Sequence, residues 1–278
     1  MDGFYHTALV ADALSLGAHW IYNQEEIVEV FPKGVRKFAD PMTEYHKGKK
    51  AGDQTHYGDQ AVMLWKSIKK REGFDAEGWR EDWVAEMGRH GGYVDGASKE
   101  TLKSEGKVAS QSSDLGGASR IAPILDLKLP LNDAVAAVRS QTALTHGDPA
   151  VADAAEFFTR AAYVLKAKAA FEDALEAAAE EGTYVKLNVA KHVETARSLR
   201  DEIFPGVAKQ IGQACVVDQA FPLALYFLLR PQTDFEKTMS DNIMAGGDSA
   251  ARGMLISLLF AAVDPNVAAE WKDGLRAH

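Results

Sequence analysis

Residues 45–60 read Tyr-His-Lys-Gly-Lys-Lys-Ala-Gly-Asp-Gln-Thr-His-Tyr-Gly-Asp-Gln. Two histidines, two tyrosines, two aspartates and a threonine stand among three glycines, with almost no aliphatic side chain. Imidazole titrates near neutrality, so His46 and His56 are candidate general acid–base groups. A carboxylate such as Asp59 can draw a proton from water, clamp a sugar hydroxyl or hold a cation. The plainer alternative is a solvated loop whose Asp59 caps the next helix. Such a loop has no need of His56, Tyr57 and Asp59 packed so closely.

Two other polar, glycine-containing junctions precede apolar stretches: Ser112-Ser113-Asp114-Leu115-Gly116-Gly117 and Gly246-Gly247-Asp248-Ser249. A helix N-terminus presents unpaired N–H groups and a partial positive charge. Ser112, Ser113, Gly116 and Gly117 suit an anion there, although the carboxylate of Asp114 competes for the same donors. Together with Asp12, Thr145 and His146, the three junctions point to one shared polar pocket. His19 and Trp20 are candidates to stack on a planar ligand, with core packing as the competing role. Tyr93 and Asp95 follow a Gly-Gly break and either touch a ribose or base or form a surface turn. Arg120 pairs an anion or bonds a core carbonyl. The cluster Lys47, Lys49 and Lys50 attracts phosphate or is a solvated face.

Helical patterns must position these groups. The spacing predicts helices over 4–20, 24–31 (stopped by Pro32) and 60–71, where Ala61, Leu64, Trp65 and Ile68 share a face. Trp79, Trp83 and Met87 mark another, ended by Gly91-Gly92. A helical stretch is expected after Ser112-Ser113-Asp114, through Arg120 to about Leu125, and further helices over 131–143, 150–180, 186–203, 217–229 and 233–245, with Pro149 at a first helical position. The stretch 249–263 is apolar nearly all round, hence buried. With no alternating strand pattern, repeat or linker, the expectation is an all-α, single-domain multi-helix bundle over 1–278, packed around a central buried pair.

The net charge of −9 argues against nucleic acid or an anionic membrane as a general partner and leaves a small-molecule substrate. Cys215 is the only cysteine, so no internal disulfide forms and a reducing, cytoplasmic setting is expected. Its apolar surroundings suggest a buried thiol. Residues 1–20 lack the basic start and clean apolar core of a secretory signal. The oligomeric state is left open.

The order of these motifs resembles the ADP-ribosylglycohydrolase family over nearly the whole chain. Ala11-Asp12-Ala13-Leu14 with Gly17 is similar to that family's Gly-Asp-Ala-Leu-Gly helix, and Tyr57-Gly58-Asp59-Gln60 stands where it has Thr-Asp-Asp-Thr. Gly116-Gly117-Ala118-Ser119-Arg120 through Pro123 is similar to its Gly-x-Gly-Ser-Met-Arg-x-x-Pro segment. Thr145-His146 matches its Thr-His pair, and Gly246-Gly247-Asp248-Ser249-Ala250-Ala251 corresponds to Gly-Gly-Asp-Thr-Asp-Thr. The resemblance implies an all-helical fold and glycosidic-bond hydrolysis, with two magnesium ions held by the two acidic motifs. This chain departs from it: Tyr57, Gly58, Gln60, Ala250 and Ala251 replace ligands, and only Asp59 and Asp248 remain of four carboxylates. The expectation is therefore one magnesium ion at most, on Asp59 and Asp248. The reading is a hydrolase of a glycosidic or related bond with catalysis from Asp59, His56 and Asp248, the alternatives being an enzyme of the same fold with changed, non-hydrolytic chemistry and a non-catalytic ligand-binding or structural protein. Substrate contacts are expected from Asp12, His19, Tyr57, Gln60, Tyr93, Asp95, Ser112, Ser113, Gly116, Gly117, Ser119, His146, Gly247 and Ser249. Without ions, Asp59 and Asp248 are expected to approach each other or to seek His56 and Tyr57.

Overall fold

The computed structural model describes residues 3–167, 169–231 and 234–276. In chain order its helices begin with α1 (Gly3–Ser15), α2 (Gln24–Val30), α3 (His56–Arg71), α4 (Ala76–Met87) and α5 (Gly96–Leu102). Two single-turn helices follow, α6 (Gly116–Ser119) and α7 (Ala122–Leu125), then α8 (Leu131–Ala143), α9 (Pro149–Leu165), α10 (Phe171–Glu181) and α11 (Val189–Leu199). The last four are α12 (Phe204–Ile211), α13 (Val217–Leu229), α14 (Phe235–Met244) and α15 (Ser249–Val263). The described residues hold no β-strand, only isolated bridges joining Ser110 to His146 and Asp114 to Val216. The fold is all-α, as the periodicities require.

α1 and α15 form the central pair. Every α1 residue after Gly3 is buried, and so is every α15 residue from Ser249 to Ala261. A helix apolar on all sides has no solvent face to offer, so other helices must surround it. α9, α13 and α14 pack on α15, and α3 and α7 on α1. Ser15 Oγ donates to the carbonyl of Ser249 at 3.4 Å, linking the pair directly.

Several boundaries differ from the sequence expectation. α1 stops at Ser15 because the chain tightens there, with Ala18 N donating to Ser15 O, and Trp20 takes a left-handed φ of 64°. α3 begins at His56, since Thr55 is its N-cap and accepts from Tyr57 N at 3.1 Å. The helical stretch expected after Asp114 through to Leu125 is reduced to α6 and α7, as Gly116-Gly117 disfavours a longer run. Residues 150–180 break into two helices although no glycine or proline lies between. α10 folds back on α9 and buries Ala174, Leu175 and Ala178, so packing overrides propensity. α14 starts at Phe235, and the expected start at 233 lies outside the described residues. No described helix is long and apolar enough to cross a membrane.

Candidate functional site

The start of α3 is fastened to α1 by Asp12. Its carboxylate accepts from Thr55 N at 2.6 Å and from Thr55 Oγ1 at 2.5 Å, and it is fully buried. The Gln54 amide, turned to donate, adds a bond to Asp12 Oδ2 at 3.0 Å. Burial raises the Asp12 carboxyl to about 7 against the pull of the Thr55 donors. Asp12 also presses on Gly58, where an added Cβ would overlap the carboxylate. A side chain at position 58 would force the Asp12 carboxylate and the Gln54 amide to move.

One residue earlier, Tyr57 turns inward across Gly116, where an added Cβ would overlap its ring. Its hydroxyl lies 2.9 Å from Asp248 Oδ2 and 3.3 and 3.4 Å from the two oxygens of Asp114. One phenol thus bridges two carboxylates. Asp248 is the N-cap of α15 and fully buried. It is presented by a turn in which Gly247 has φ 69° and lies so close to Gln213 that a Cβ would overlap it. That turn is clasped on both sides: Trp20 N donates to Gly247 O at 2.9 Å and Gly247 N to Ile21 O at 2.7 Å. Below it the buried Arg252 guanidinium bonds Gly246 O at 2.8 Å and Asn242 Oδ1 at 3.0 Å.

Asp114 and Cys215 arrive on adjacent segments, held by Leu115 N to Cys215 O at 2.8 Å and Val217 N to Ser113 O at 2.7 Å. Both are half-buried, and the thiol hydrogen-bonds Asp114. One donor atom from each of Asp114, Cys215 and Asp248 lies within 4.8 Å of the other two. Burial and the neighbouring Asp248 push the Asp114 carboxyl up to about 8. Burial raises Asp248 only to about 6, because Arg252 and the Tyr57 hydroxyl favour its charge. Burial holds the Tyr57 phenol and the Cys215 thiol protonated well above their ordinary ranges. The pair therefore contains, near neutrality, one carboxyl that keeps its proton and one that releases it.

A wall of rings stands over this pair. His19 is fully buried, with Nδ1 3.7 Å from Asp248 Oδ1, and neither ring nitrogen has a hydrogen-bond partner. His56 packs on Tyr57 with centroids 3.8 Å apart, and its Nδ1 lies 3.3 Å from His46 Nε2. Burial keeps all three imidazoles neutral, lowering His46 to about 4, His56 to about 3 and His19 well below its ordinary value. Outward of them Trp20 stacks on His19 at 4.6 Å and meets Tyr45 and Tyr93 edge-on at 4.8 and 5.2 Å. Trp20 and Tyr93 are half-buried and Tyr45 is exposed, so these rings reach the surface.

Asp59 faces elsewhere. Its Oδ2 meets Lys49 Nζ at 2.5 Å and His90 Nε2 at 3.5 Å. It lines a cleft of about 360 Å³ with Asp53, Lys66, Glu86 and Arg276. Burial raises its carboxyl above the ordinary range despite the pull of Lys49. Of the expected couple, Asp248 finds Tyr57 and Asp59 finds Lys49.

The other residues singled out by sequence divide into two groups. Gln60 and Asp95 are joined by a 3.2 Å bond, Asp95 caps α5 through Ser98 N at 2.8 Å, and Gln60 accepts from the Arg120 guanidinium at 2.6 Å. His146 lies against Gly117 with Nδ1 2.9 Å from Thr145 Oγ1, and burial lowers it to about 3. Ser119 Oγ donates to Gly116 O at 2.8 Å, and Ser249 Oγ is buried without a partner. Of these, Ser119 is bonded to the Gly116 on which the Tyr57 ring lies. Ser112 and Ser113 are half-buried beside Asp114 at the rim. Gly116 N donates to Asp114 Oδ1 at 2.8 Å, so the carboxylate closes the N–H cradle considered for an anion. Sequence reasoning did not place Asp114 or Cys215 beside Asp248, nor Lys49 and His90 on Asp59. Lys49 stands ten residues before Asp59 in the same polar stretch, and that spacing was the available signal.

The sequence model of the family described as ADP-ribosylglycohydrolase matches residues 3–278. The fold is similar to that of a solved structure described as "ADP-ribosylglycohydrolase-related protein complex", with a TM-score of 0.72 and 18% identity over 99% of this chain and 91% of that one. Among curated proteins none matches the sequence.

Proposed function

The chain belongs to the ADP-ribosylglycohydrolase family, and from that premise we propose that it hydrolyses the glycosidic bond of a small, nucleotide-like substrate without the family's pair of magnesium ions, acting as one domain. The observation that carries this reading is the bridge Asp248–Tyr57–Asp114. Two carboxyls whose environments push their proton affinities apart are the pattern of an acid and a base. Asp114, half-buried at the rim and titrating near 8, gives its proton to the leaving group. Asp248, ionised at neutrality, acts on the anomeric carbon. Their oxygens approach within 4.8 Å. That is nearer the separation of about 5–5.5 Å used in double displacement than the 6.5–9.5 Å that leaves room for a water. Water then attacks the anomeric carbon of the Asp248 ester, and Asp114 takes the proton from it. The Tyr57 hydroxyl stays protonated and donates to whichever carboxylate bears the charge. Neutral His56 and His19 keep the phenol in place. Trp20, Tyr45 and Tyr93 offer a surface for a planar base.

The residues at the family's ligand positions do not fit two magnesium ions, each of which takes about six oxygens. Gly58 offers no side-chain ligand, Asp59 is held by Lys49, and Ala250 and Ala251 are buried in the core and donate nothing. No step is therefore routed through magnesium.

The test is turnover of small ADP-ribosyl N- and O-glycosides in the presence of a strong chelator, with released ADP-ribose measured by mass spectrometry. The expected result is turnover that survives chelation, with a bell-shaped pH dependence between limbs near 6 and 8. Activity that appears only when magnesium is added back overturns the reading.

A further inference from the structure

We propose that Asp12 is a positioning residue for the acid–base pair: acting through Thr55 and against Gly58, it fixes the first turn of α3 so that the Tyr57 phenol is held between Asp248 and Asp114. The ground is an unbroken series of bonds from the central helix to that phenol. Asp12 lies on α1, fully buried, and its carboxylate accepts from Thr55 N at 2.6 Å and from Thr55 Oγ1 at 2.5 Å. The same Thr55 hydroxyl accepts from Tyr57 N at 3.1 Å. The Tyr57 hydroxyl in turn lies 2.9 Å from Asp248 Oδ2. On the other side of Tyr57, Gly58 rests on the Asp12 carboxylate, where an added Cβ would overlap Oδ2. One carboxylate therefore holds the chain at residue 55 and braces it at residue 58, with Tyr57 between.

The position calls for a carboxylate. Thr55 N, Thr55 Oγ1 and the Gln54 amide are three donors converging on two oxygens. An ionised aspartate only accepts, whereas the isosteric asparagine sets its own NH2 against one of those donors. A shift of the helix start relieves that conflict. The Tyr57 ring has little freedom to compensate, because it packs on His56 at 3.8 Å and lies across Gly116. The shift is therefore passed on to the phenol oxygen. Trp20, Tyr45 and Tyr93, which offer the surface for a base, are carried by other segments, so the loss should fall on kcat rather than KM. This consequence for turnover rests on the hydrolytic reading above, whereas the placement of the phenol does not.

Variants of the full chain test it. Thr55→Val removes the shared hydroxyl at nearly constant shape and should lower kcat by about tenfold or more with KM within about threefold, since misplacing a reacting group by about 1 Å can cost about a hundredfold. Asp12→Asn should do the same. Thr55→Ser keeps the hydroxyl and should stay within about threefold of the parent. Tyr57→Phe should lose at least as much as Thr55→Val, and in its background neither Thr55→Val nor Asp12→Asn should cost more than about twofold further, because the phenol they act through is already gone. Fluorine NMR of the chain carrying fluorotyrosine at its eight tyrosines reads the placement without turnover. The resonance missing from Tyr57→Phe belongs to Tyr57; it should move in Thr55→Val and Asp12→Asn and stay in place in Thr55→Ser. Circular dichroism checks folding, and Thr55→Val carries the test alone if Asp12→Asn does not fold. A Tyr57 resonance unmoved in Thr55→Val, a Thr55→Ser as slow as Thr55→Val, or losses that persist in full beside Tyr57→Phe overturn the positioning. A parent that turns over no glycoside overturns the reading above, and the Tyr57 resonance then decides the positioning by itself.

Discussion

Asp59 and Asp248 stand in corresponding junctions, each in a polar, glycine-containing segment that enters a buried helix, yet they have opposite surroundings. Asp248 is buried with its Oδ1 3.7 Å from His19, bonded by the Tyr57 phenol and faced by a second carboxyl. Asp59 is partly open to solvent, gripped by Lys49 and set in a cleft with charges of both signs. The difference arises from two neighbours. Gly58 lets Asp12 press against the start of α3, and Tyr57 lies across Gly116 with its hydroxyl on Asp248, while Asp59 meets Lys49. A carboxylate at a helix start is common, and its chemistry is set by what the adjoining residues leave room for.

The sharpest way to break this contrast is to neutralise each carboxylate in turn. Asp248→Asn removes the carboxylate that forms the ester and should lower kcat/KM by at least the about 10²–10⁴ that loss of a general acid or base costs. Asp59→Asn should stay within about tenfold of the parent, since it removes a half-open ion pair. Equal losses in steady-state assays would erase the distinction. The next effect is on stability. Asp114 titrates near 8 when folded, well above an ordinary carboxyl, so between about pH 4 and pH 8 the folded chain binds more protons than the unfolded one. Stability should therefore fall as pH rises through that window, and Asp114→Asn should flatten the fall. At pH 8.5 the variant should melt several degrees higher than the parent, at about 2–4 °C per kcal/mol for a chain somewhat smaller than this. A parent melting temperature that rises from pH 5 to pH 8 as steeply as that of the variant would contradict the burial of that charge. The smallest effect belongs to the other side. Lys49→Met should cost about 1 kcal/mol in urea unfolding at neutral pH, because it strands the Asp59 charge.

The all-helical architecture was readable because its signals are local. Trp79, Trp83 and Met87 recur at one helical face, and 249–263 has no polar side to expose. The break after Leu165 was not readable, because α10 turns back only to bury its apolar stripe on α9. The site was legible in the same uneven way. Asp248, Tyr57 and His19 stood out by type and position, and the structure brings them together. Asp114 reads in sequence as an obstacle to anions, and its pairing with Asp248 depends on a backbone bridge between 113–115 and 215–217. No residue pattern announces a contact across so much chain. The direction of Asp59 was equally hidden, since it depends on where Lys49 comes to rest.

The clasp between Trp20-Ile21 and Gly247 has a consequence for how the molecule is made. α1 has no solvent-compatible face, and its partner α15 is synthesised more than two hundred residues after it, as the Ser15–Ser249 contact across 234 positions records. Until then α1 must be shielded by provisional neighbours or by chaperones. Contacts so distant in sequence also slow the last step of folding, because the intervening loop must close before they stabilise anything. The Asp248 turn is therefore among the last parts to form, and a nascent chain that has reached α13 holds Tyr57 and Asp114 but still lacks Asp248.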